Sequence, residues 1–219
     1  MSYSIAIDGP AGAGKSTIAK KIAKEKQFIY VDTGAMYRAM ALYFLRNGIR
    51  AEDTDKISEK CKEADVTIQY VDGEQVVFLN GENVNGYIRT EEVGNMASAS
   101  SVNPDVRKKL VELQQRLAKS TDVVMDGRDI GTCVLPGADV KVYLTASSAV
   151  RAKRRYDELT ARGEDCVFEQ IEKDIIERDE KDMNREISPL CRADDAVLVD
   201  SSDMTIDEVV KTIIDLCKQ

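Results

Sequence analysis

One stretch near the amino terminus combines residue types that can hold a chain of phosphate groups. Residues Gly9 to Ser16 match the pattern Gly-x-x-x-x-Gly-Lys-Ser without a gap. In a loop of this kind the backbone N–H groups point inward at phosphate oxygens, the lysine reaches the outer phosphates, and the serine hydroxyl binds Mg²⁺. The predicted phosphate-binding residues are Gly9, Pro10, Ala11, Gly12, Ala13, Gly14, Lys15, Ser16 and Thr17, with Mg²⁺ expected at Ser16.

A phosphate-binding loop by itself is compatible with three classes of protein: GTPase switches, motor or transporter ATPases, and small-molecule kinases. The strings Asn-Lys-x-Asp and Asp-x-x-Gly, which a GTPase needs, are both absent from the sequence. The predicted strand that ends at Asp126 is followed by Gly127, whereas motor and transporter ATPases usually carry a glutamate there. We therefore favour a kinase, which needs a second, basic site for the acceptor of the phosphoryl group.

Arginines recur where such an acceptor site is expected. Arg38 and Arg128 each follow a predicted strand closely. Further along the chain, Arg178, Asp182 and Arg185 are spaced i, i+4 and i+7, which would place them on one face of a helix. A third basic group, on another predicted helix, consists of Arg151, Arg154 and Arg155.

The elements that must position these residues alternate between strands and helices. Strands are predicted at 4–8, 28–32, 123–126, 140–144 and 196–200. Helices are predicted at 15–26, 36–47, 53–64, 91–100, 104–119, 147–161, 168–184 and 205–218. This alternation predicts an α/β fold with a parallel sheet covered by helices on both faces. Ligands of such sheets bind beyond the carboxyl ends of the strands, where Asp8, Asp32 and Asp126 are expected.

The sequence pattern changes between residues 66 and 85. Two alternating apolar runs, 66–71 and 75–80, are separated by the turn signal Asp72-Gly73, and further Asn-Gly turns follow. This block is typical of a small antiparallel β meander. Because it interrupts the alternation of strands and helices, we interpret it as an insertion.

Composition excludes several kinds of chemistry and partner. The chain has 219 residues, with 31 basic against 39 acidic side chains and a net charge of −8, which weighs against a nucleic acid polymer or an anionic membrane as partner. Histidine is absent, so histidine bases and histidine-ligated metals are excluded. The five cysteines are widely spaced, as expected of reduced thiols in the cytoplasm. The apolar run 39–45 is too short to span a membrane.

Five segments together make the chain resemble the bacterial cytidylate kinases, which are nucleoside monophosphate kinases. The matching segments are 8–15, 32–38, 88–93, 126–132 and 177–185, in family order and spacing. The resemblance implies a P-loop kinase core at 1–65 and 90–219. It also implies that the β insertion at 66–89 is part of the region that binds the acceptor nucleotide, and that a short lid lies at about 151–165.

The resemblance also implies a role for each candidate residue. Residues near the cytosine are Thr33, Ser98, Arg107 and Asp129. Residues near the acceptor phosphate and ribose are Arg38, Arg128, Arg178, Asp182 and Arg185. Residues expected to act in the transfer are Lys15, Arg128 and Arg185, and the lid arginines are Arg151, Arg154 and Arg155. Asp126 is either a strand-end acid without a chemical role or a contact to Mg²⁺ alongside Ser16.

The reaction implied by the resemblance is transfer of the γ-phosphoryl group of ATP to CMP or dCMP. The attacking phosphate oxygen is already anionic near neutral pH, so the absence of histidine is no obstacle. We expect a cytoplasmic monomer that binds ATP, CMP and Mg²⁺ and neither nucleic acid nor membrane. Two alternatives remain open: a P-loop kinase for another small molecule, and a nucleotide-binding regulator without enzymatic activity.

Overall fold

A computed structural model describes residues 2–71 and 73–217 of the chain. The described residues form two compact units. One contains the phosphate-binding loop and comprises residues 3–28 and 123–217; we refer to it as the P-loop unit. The other comprises residues 2 and 29–122 and is rich in helices; we refer to it as the helical unit.

The secondary structure follows the predicted alternation closely. In chain order the elements are β1 (Ser4–Asp8), α1 (Lys15–Lys26), β2 (Ile29–Asp32), α2 (Thr33–Arg46), α3 (Thr54–Lys60), β3 (Val66–Val71), β4 (Glu74–Leu79), β5 (Glu82–Asn83), α4 (Glu91–Ser100), α5 (Pro104–Ser120), β6 (Val123–Gly127), a π-helix (Ile130–Val134), β7 (Val140–Thr145), α6 (Ser148–Ala161), α7 (Phe168–Asn184), β8 (Val197–Asp200) and α8 (Ile206–Leu216). Among the described residues, no helix is both long enough and apolar enough to cross a membrane.

The P-loop unit is built on parallel strands in the order β6-β1-β7-β8. All five residues of β1 are buried, and Ile5, Ala6 and Ile7 have no exposed surface. A strand that is buried throughout must be covered on both faces of its sheet, which explains its continuous apolar sequence. Helix α1 packs against β1 and β6, α8 packs against α1, and α6 packs against α7. The predicted fold class is confirmed.

The helical unit contains the second, smaller sheet. Strands β3, β4 and β5 pair antiparallel, and the register places Val66 opposite Leu79. Helix α2 packs against α4 and α5 and against the sheet. The carbonyl oxygen of the Gln75 side chain accepts a hydrogen bond of 2.8 Å from the backbone N–H of Asp32, which ties β4 to the end of β2. The antiparallel meander is therefore as predicted, while its assignment as a separate acceptor-binding insertion at 66–89 remains a prediction.

Two predicted helices in the helical unit have different bounds. Helix α2 begins at Thr33 rather than at residue 36, so residues 33–35 are helical as well. The cause is Asp32, whose carboxylate accepts the N–H of Ala35 at 2.8 Å and caps the helix. Helix α3 ends at Lys60 rather than at residue 64, and the ammonium of Lys109 binds the carbonyl groups of Cys61 and Lys62 that follow it.

The P-loop unit departs from expectation in two places. Helix α7 ends at Asn184, so Arg185 has an extended backbone and does not share the helix face of Arg178 and Asp182. The chain folds back there, and the N–H of Leu190 binds the carbonyl of Asp182 at 2.8 Å. The segment after β6, expected to be a loop, includes the π-helix. The predicted turn residue Asp72 and the predicted helix end at Lys218 lie outside the described residues.

Candidate active site

The phosphate-binding loop joins β1 to α1 in the conformation that its glycines permit. A Cβ atom on Gly9 would lie 1.9 Å from the carbonyl oxygen of Leu144, a backbone atom of β7, and the φ angle of Gly9 is +146°. A side chain there is therefore incompatible with this loop path. The path brings the start of the loop against the neighbouring strand and leaves Ser16 and Thr17 exposed at the start of α1.

Lys15 lies beneath the loop. Its side chain donates a hydrogen bond of 2.7 Å to the carbonyl of Pro10, and the residue is 6% exposed. The pKa of its ammonium is lowered well below the ordinary 10.5, first by burial and then by the charge of Arg128. Asp126 and Asp8 act in the opposite direction. A bound anion would raise the pKa of Lys15 again, because it favours the charged form.

The two predicted Mg²⁺ ligands are neighbours. The hydroxyl of Ser16 donates a hydrogen bond of 2.9 Å to a carboxylate oxygen of Asp126. Magnesium ions prefer oxygen ligands and are commonly held by one or two protein groups together with substrate phosphates. Among the described residues, no group of three or more acidic or cysteine side chains could hold a metal ion. The Ser16–Asp126 pair therefore fits a magnesium ion that arrives with a nucleotide, and it does not fit a fully protein-bound one.

The predicted acceptor residues of the P-loop unit form a network of ion pairs. The Nε of Arg128 donates to Asp182 at 2.9 Å. The guanidinium of Arg185 lies 3.9 Å from the carboxylate of Asp129, and both residues are largely buried there. Although Arg185 lies beyond the end of α7, the fold thus brings it to Asp129 from the neighbouring segment. These pairs hold four charged side chains in fixed positions without a ligand.

Arg178 adds a further positive charge to the same unit. The pKa of its guanidinium is lowered below its ordinary value, first by loss of surrounding water and then by the charge of Arg128. Arg178 also lowers the pKa of Lys15. Lys15, Arg128 and Arg178 are therefore close enough to repel one another, which is the electrostatic signature of a site for anions. We call these three residues the cation cluster.

Asp8 is a functional candidate that sequence reasoning placed at the sheet edge without giving it a role. Its carboxylate accepts the backbone N–H groups of Ile130 and Gly131 at 2.8 and 2.7 Å. It therefore connects the residue before Gly9 to the segment that carries Arg128 and Asp129. Burial raises the pKa of Asp8 to about 6, although the two N–H groups and Lys15 act to lower it. Asp8 begins the segment 8–15 that matches the family, and this match could have identified Asp8 as a functional residue.

The predicted residues of the helical unit lie on packed helices. Thr33 and Arg38 are on α2, Ser98 is on α4 and Arg107 is on α5. Thr33 and Arg107 are buried, whereas Ser98 is exposed. Because α2 contacts both other helices, the fold groups these residues within one unit.

The helical unit also contains a charge pair that the sequence analysis did not single out. One carboxylate oxygen of Asp32 accepts from Arg38 at 3.3 Å and from Arg89 at 2.9 Å. Arg89 belongs to the family segment 88–93, which was the available signal. Two guanidinium groups on one carboxylate leave a net positive charge beside Arg38.

The three predicted lid arginines have three different environments. Arg151 is buried and bonded to backbone and carboxylate groups. Arg154 donates to the carbonyl of Ser201 at 2.8 Å. Arg155 is exposed and pairs with Glu158 on its own helix at 2.9 Å. Their joint role as a lid remains a prediction.

The parallel sheet, the glycine-rich loop before α1 and the cation cluster define a P-loop phosphotransferase. The family model described as cytidylate kinase matches residues 5–219 of the chain. The cytidylate kinase of Caldicellulosiruptor bescii is 50% identical over 212 residues, which cover 97% of this chain and 94% of that protein. The cytidylate kinase of Shouchella clausii is 48% identical over 217 residues, which cover 99% and 96% of the two chains. This chain belongs to the cytidylate kinase family.

The fold also occurs in a distant solved structure. A crystal structure of an uncharacterized protein from Eubacterium ventriosum matches with a TM-score of 0.53 at 12% identity, covering 100% of both chains. That likeness concerns the fold alone. The family membership makes the chain an enzyme of the nucleoside monophosphate kinase class, as the sequence motifs indicated.

The raised pKa of Asp8 leads to a prediction about stability. The folded protein holds the Asp8 proton up to about pH 6, whereas the unfolded chain releases it near the ordinary 3.8. Folding therefore binds a proton between these values, and the stability that depends on Asp8 falls as the pH rises through them. At each pH the free energy of unfolding of Asp8→Asn is subtracted from that of wild type. We expect this difference to fall by up to about 3 kcal/mol as the pH rises from 3.8 to about 6.

Urea unfolding of both proteins at a series of pH values measures this difference. Asp203→Asn, at an exposed position of the P-loop unit, controls for the loss of one negative charge. A difference between wild type and Asp8→Asn that is constant from pH 4 to pH 6 would contradict the assignment.

Proposed function

We propose that this enzyme transfers the γ-phosphoryl group of ATP to CMP, and to dCMP, giving ADP and CDP or dCDP. Family membership and the similarity to named cytidylate kinases support the reaction. The observation that carries the proposal is the cation cluster at the phosphate-binding loop, because like charges held this close together are stabilised by polyphosphate. The Ser16–Asp126 pair is proposed to hold the Mg²⁺ that accompanies ATP.

The reaction requires the protein mainly to position the two phosphate groups and to offset their negative charge. The acceptor phosphate is already an anion near neutral pH, with a second pKa of about 6, so no side chain has to remove a proton from it. The obstacle is the repulsion between two anionic groups that must approach in line. Lys15, Arg128 and Arg185 are proposed to offset that repulsion and to stabilise the charge on the transferred group. Mg²⁺ held at Ser16 and Asp126 would neutralise part of the charge on ATP.

Recognition of the base is proposed to depend on Asp129. Its carboxylate is buried and lies 3.9 Å from Arg185, so its position is constrained on one side by a charge pair. A carboxylate accepts hydrogen bonds and cannot donate them. Cytosine offers an amino group at position 4, where uracil offers a carbonyl. An acceptor fixed opposite that position would discriminate between the two bases.

The remaining assignments complete the proposal. Thr33, Ser98 and Arg107 are proposed to contact or approach the cytosine, and Arg38 to hold the acceptor phosphate. Arg178 and Asp182 are proposed to lie near the ribose. The bounds of the kinase core, the β insertion and the lid stay predictions, and the enzyme is proposed to be a cytoplasmic monomer.

The direct test is a panel of nucleoside monophosphates with ATP and Mg²⁺. We expect rapid ADP formation with CMP and dCMP and much slower formation with UMP, AMP and GMP. Preference for another monophosphate, or for a small molecule of a different kind, would overturn the choice of substrate. Tight ATP binding with no ADP formation in the presence of any of these acceptors would instead support a nucleotide-binding regulator.

The role of Asp129 yields a second prediction. Asp129→Asn supplies an amide that can present either a donor or an acceptor to the base. We expect kcat/KM for CMP to fall by an amount that corresponds to about 1–3 kcal/mol of activation free energy, and kcat/KM for UMP to fall much less. The ratio of the specificity constant for CMP to that for UMP would then decrease. The measurement is the ratio of the two specificity constants, with the exposed Asp203→Asn as control. Equal losses toward both substrates would mean that Asp129 serves its ion pair with Arg185 and not the base.

A further inference from the structure

Arg151 is held by three segments of the P-loop unit at once. Its Nε donates to the carbonyl of Ala146 at 2.9 Å, one terminal nitrogen donates to the carbonyl of Ala11 at 2.9 Å, and the other donates to Asp179 at 2.6 Å. Ala11 belongs to the phosphate-binding loop, Ala146 follows β7, and Asp179 is on α7. The residue is 5% exposed. We call this set of contacts the Arg151 bridge.

The position of Arg151 on its helix restricts the side chain. Ser147 caps α6 by accepting the N–H of Val150, and Arg151 lies in the first turn, where its N–H binds the carbonyl of Ser147 at 3.0 Å. Across from it, a Cβ atom on Gly12 would lie 3.4 Å from the Cβ of Arg151. The loop and the helix start are therefore already in close contact, and the guanidinium extends beneath the loop from a fixed base.

The bond to Ala11 determines the direction of a peptide in the loop. In a planar trans peptide the C=O and the following N–H point in opposite directions. The carbonyl of Ala11 points toward Arg151. The N–H of Gly12 therefore points away from the guanidinium of Arg151.

Asp179 completes the bridge as its counter-ion. One of its carboxylate oxygens accepts from Arg151, and the other is buried and makes no hydrogen bond within the described residues. Removal of the guanidinium would leave a buried carboxylate without its cation, which is strongly unfavourable. Unlike the exposed Arg155 on the same helix, Arg151 is therefore not available to swing out and back as part of a lid.

We propose that Arg151 is a positioning residue of the phosphate-binding loop: through Ala11 it presents the Gly12 N–H to the phosphates of ATP, and Asp179 holds it in place. The inference rests on the proposed use of ATP as the donor. It assigns Arg151 a role different from that of a mobile lid arginine, and it gives Asp179 a function in the same site.

The test compares Arg151→Lys and Asp179→Asn with wild type, and uses Arg116→Lys, an exposed site on α5, as the matched control. Calorimetry gives the Kd for ATP with Mg²⁺ and no acceptor, and steady-state kinetics gives kcat and both Michaelis constants. We expect Kd and KM for ATP to rise about tenfold in Arg151→Lys while KM for CMP stays within twofold. Asp179→Asn should change the same constants in the same direction, and Arg116→Lys should change none of them.

The Gly12 amide provides a readout that a purely structural role would not affect. In wild type, ATP binding should shift its NMR resonance downfield as the N–H binds a phosphate, and this shift should be lost in folded Arg151→Lys and in Asp179→Asn. A fall in kcat with unchanged ATP affinity would overturn the proposal in favour of a lid role. A lower melting temperature with unchanged ATP affinity and an unchanged Gly12 shift would overturn it in favour of a structural role.

The measurement also separates this inference from the proposed function. If wild type bound ATP but did not phosphorylate CMP, the proposed acceptor would be wrong, yet the Kd for ATP and the Gly12 shift would still test the Arg151 bridge. If Arg151→Lys does not fold, Asp179→Asn retains the arginine and carries the same comparison.

Discussion

The P-loop unit depends on keeping positive charges close together around the buried ammonium of Lys15. Burial and Arg128 lower the pKa of Lys15, and burial and Arg128 lower that of Arg178. Each cation makes its neighbours harder to charge, so the free protein carries an electrostatic cost that a bound polyphosphate would relieve. In this account the affinity for phosphate and the strain of the unliganded site have one origin, namely the mutual repulsion of these cations.

Carboxylates partly offset that repulsion, and their hydrogen bonds also connect the elements of the unit. Asp182 pairs with Arg128, and Asp126 binds the hydroxyl of Ser16. Within the described part of the chain, no hydrogen bond joins Asp8 to a cation; its carboxylate accepts two backbone N–H groups from the start of the π-helix. Because Asp8 immediately precedes the phosphate-binding loop, the same carboxylate orders the loop and the segment that carries the acceptor-side residues. The geometry of the site and the stability of the strand ends are thus determined by the same few acidic groups.

The sequence is sufficient to predict whatever depends on local pattern. The glycine spacing of residues 9–16 identified the loop, and continuous apolar runs identified the buried strands. It did not predict contacts between residues far apart in the chain. Asp32 was read as a strand-end acid, so its capping of α2 was missed. The helical spacing of Arg178 and Arg185 suggested one face, but the chain folds back after Asn184 and brings Arg185 to Asp129 by another path. Arg151 was predicted to be a lid arginine, because the local sequence does not reveal its contact with Ala11, 140 residues away.

The most direct test of the account is the titration of Lys15 in the free and the ATP-bound protein. The Cε resonance of ¹³C-labelled lysine reports protonation of the amine, and comparison with Lys15→Arg assigns the signal. We expect the pKa of Lys15 to lie well below 10.5 in the free protein, because burial and Arg128 disfavour its charge. When ATP binds, we expect this pKa to rise. A pKa near 10.5 in the free protein that does not change with ATP would contradict the account.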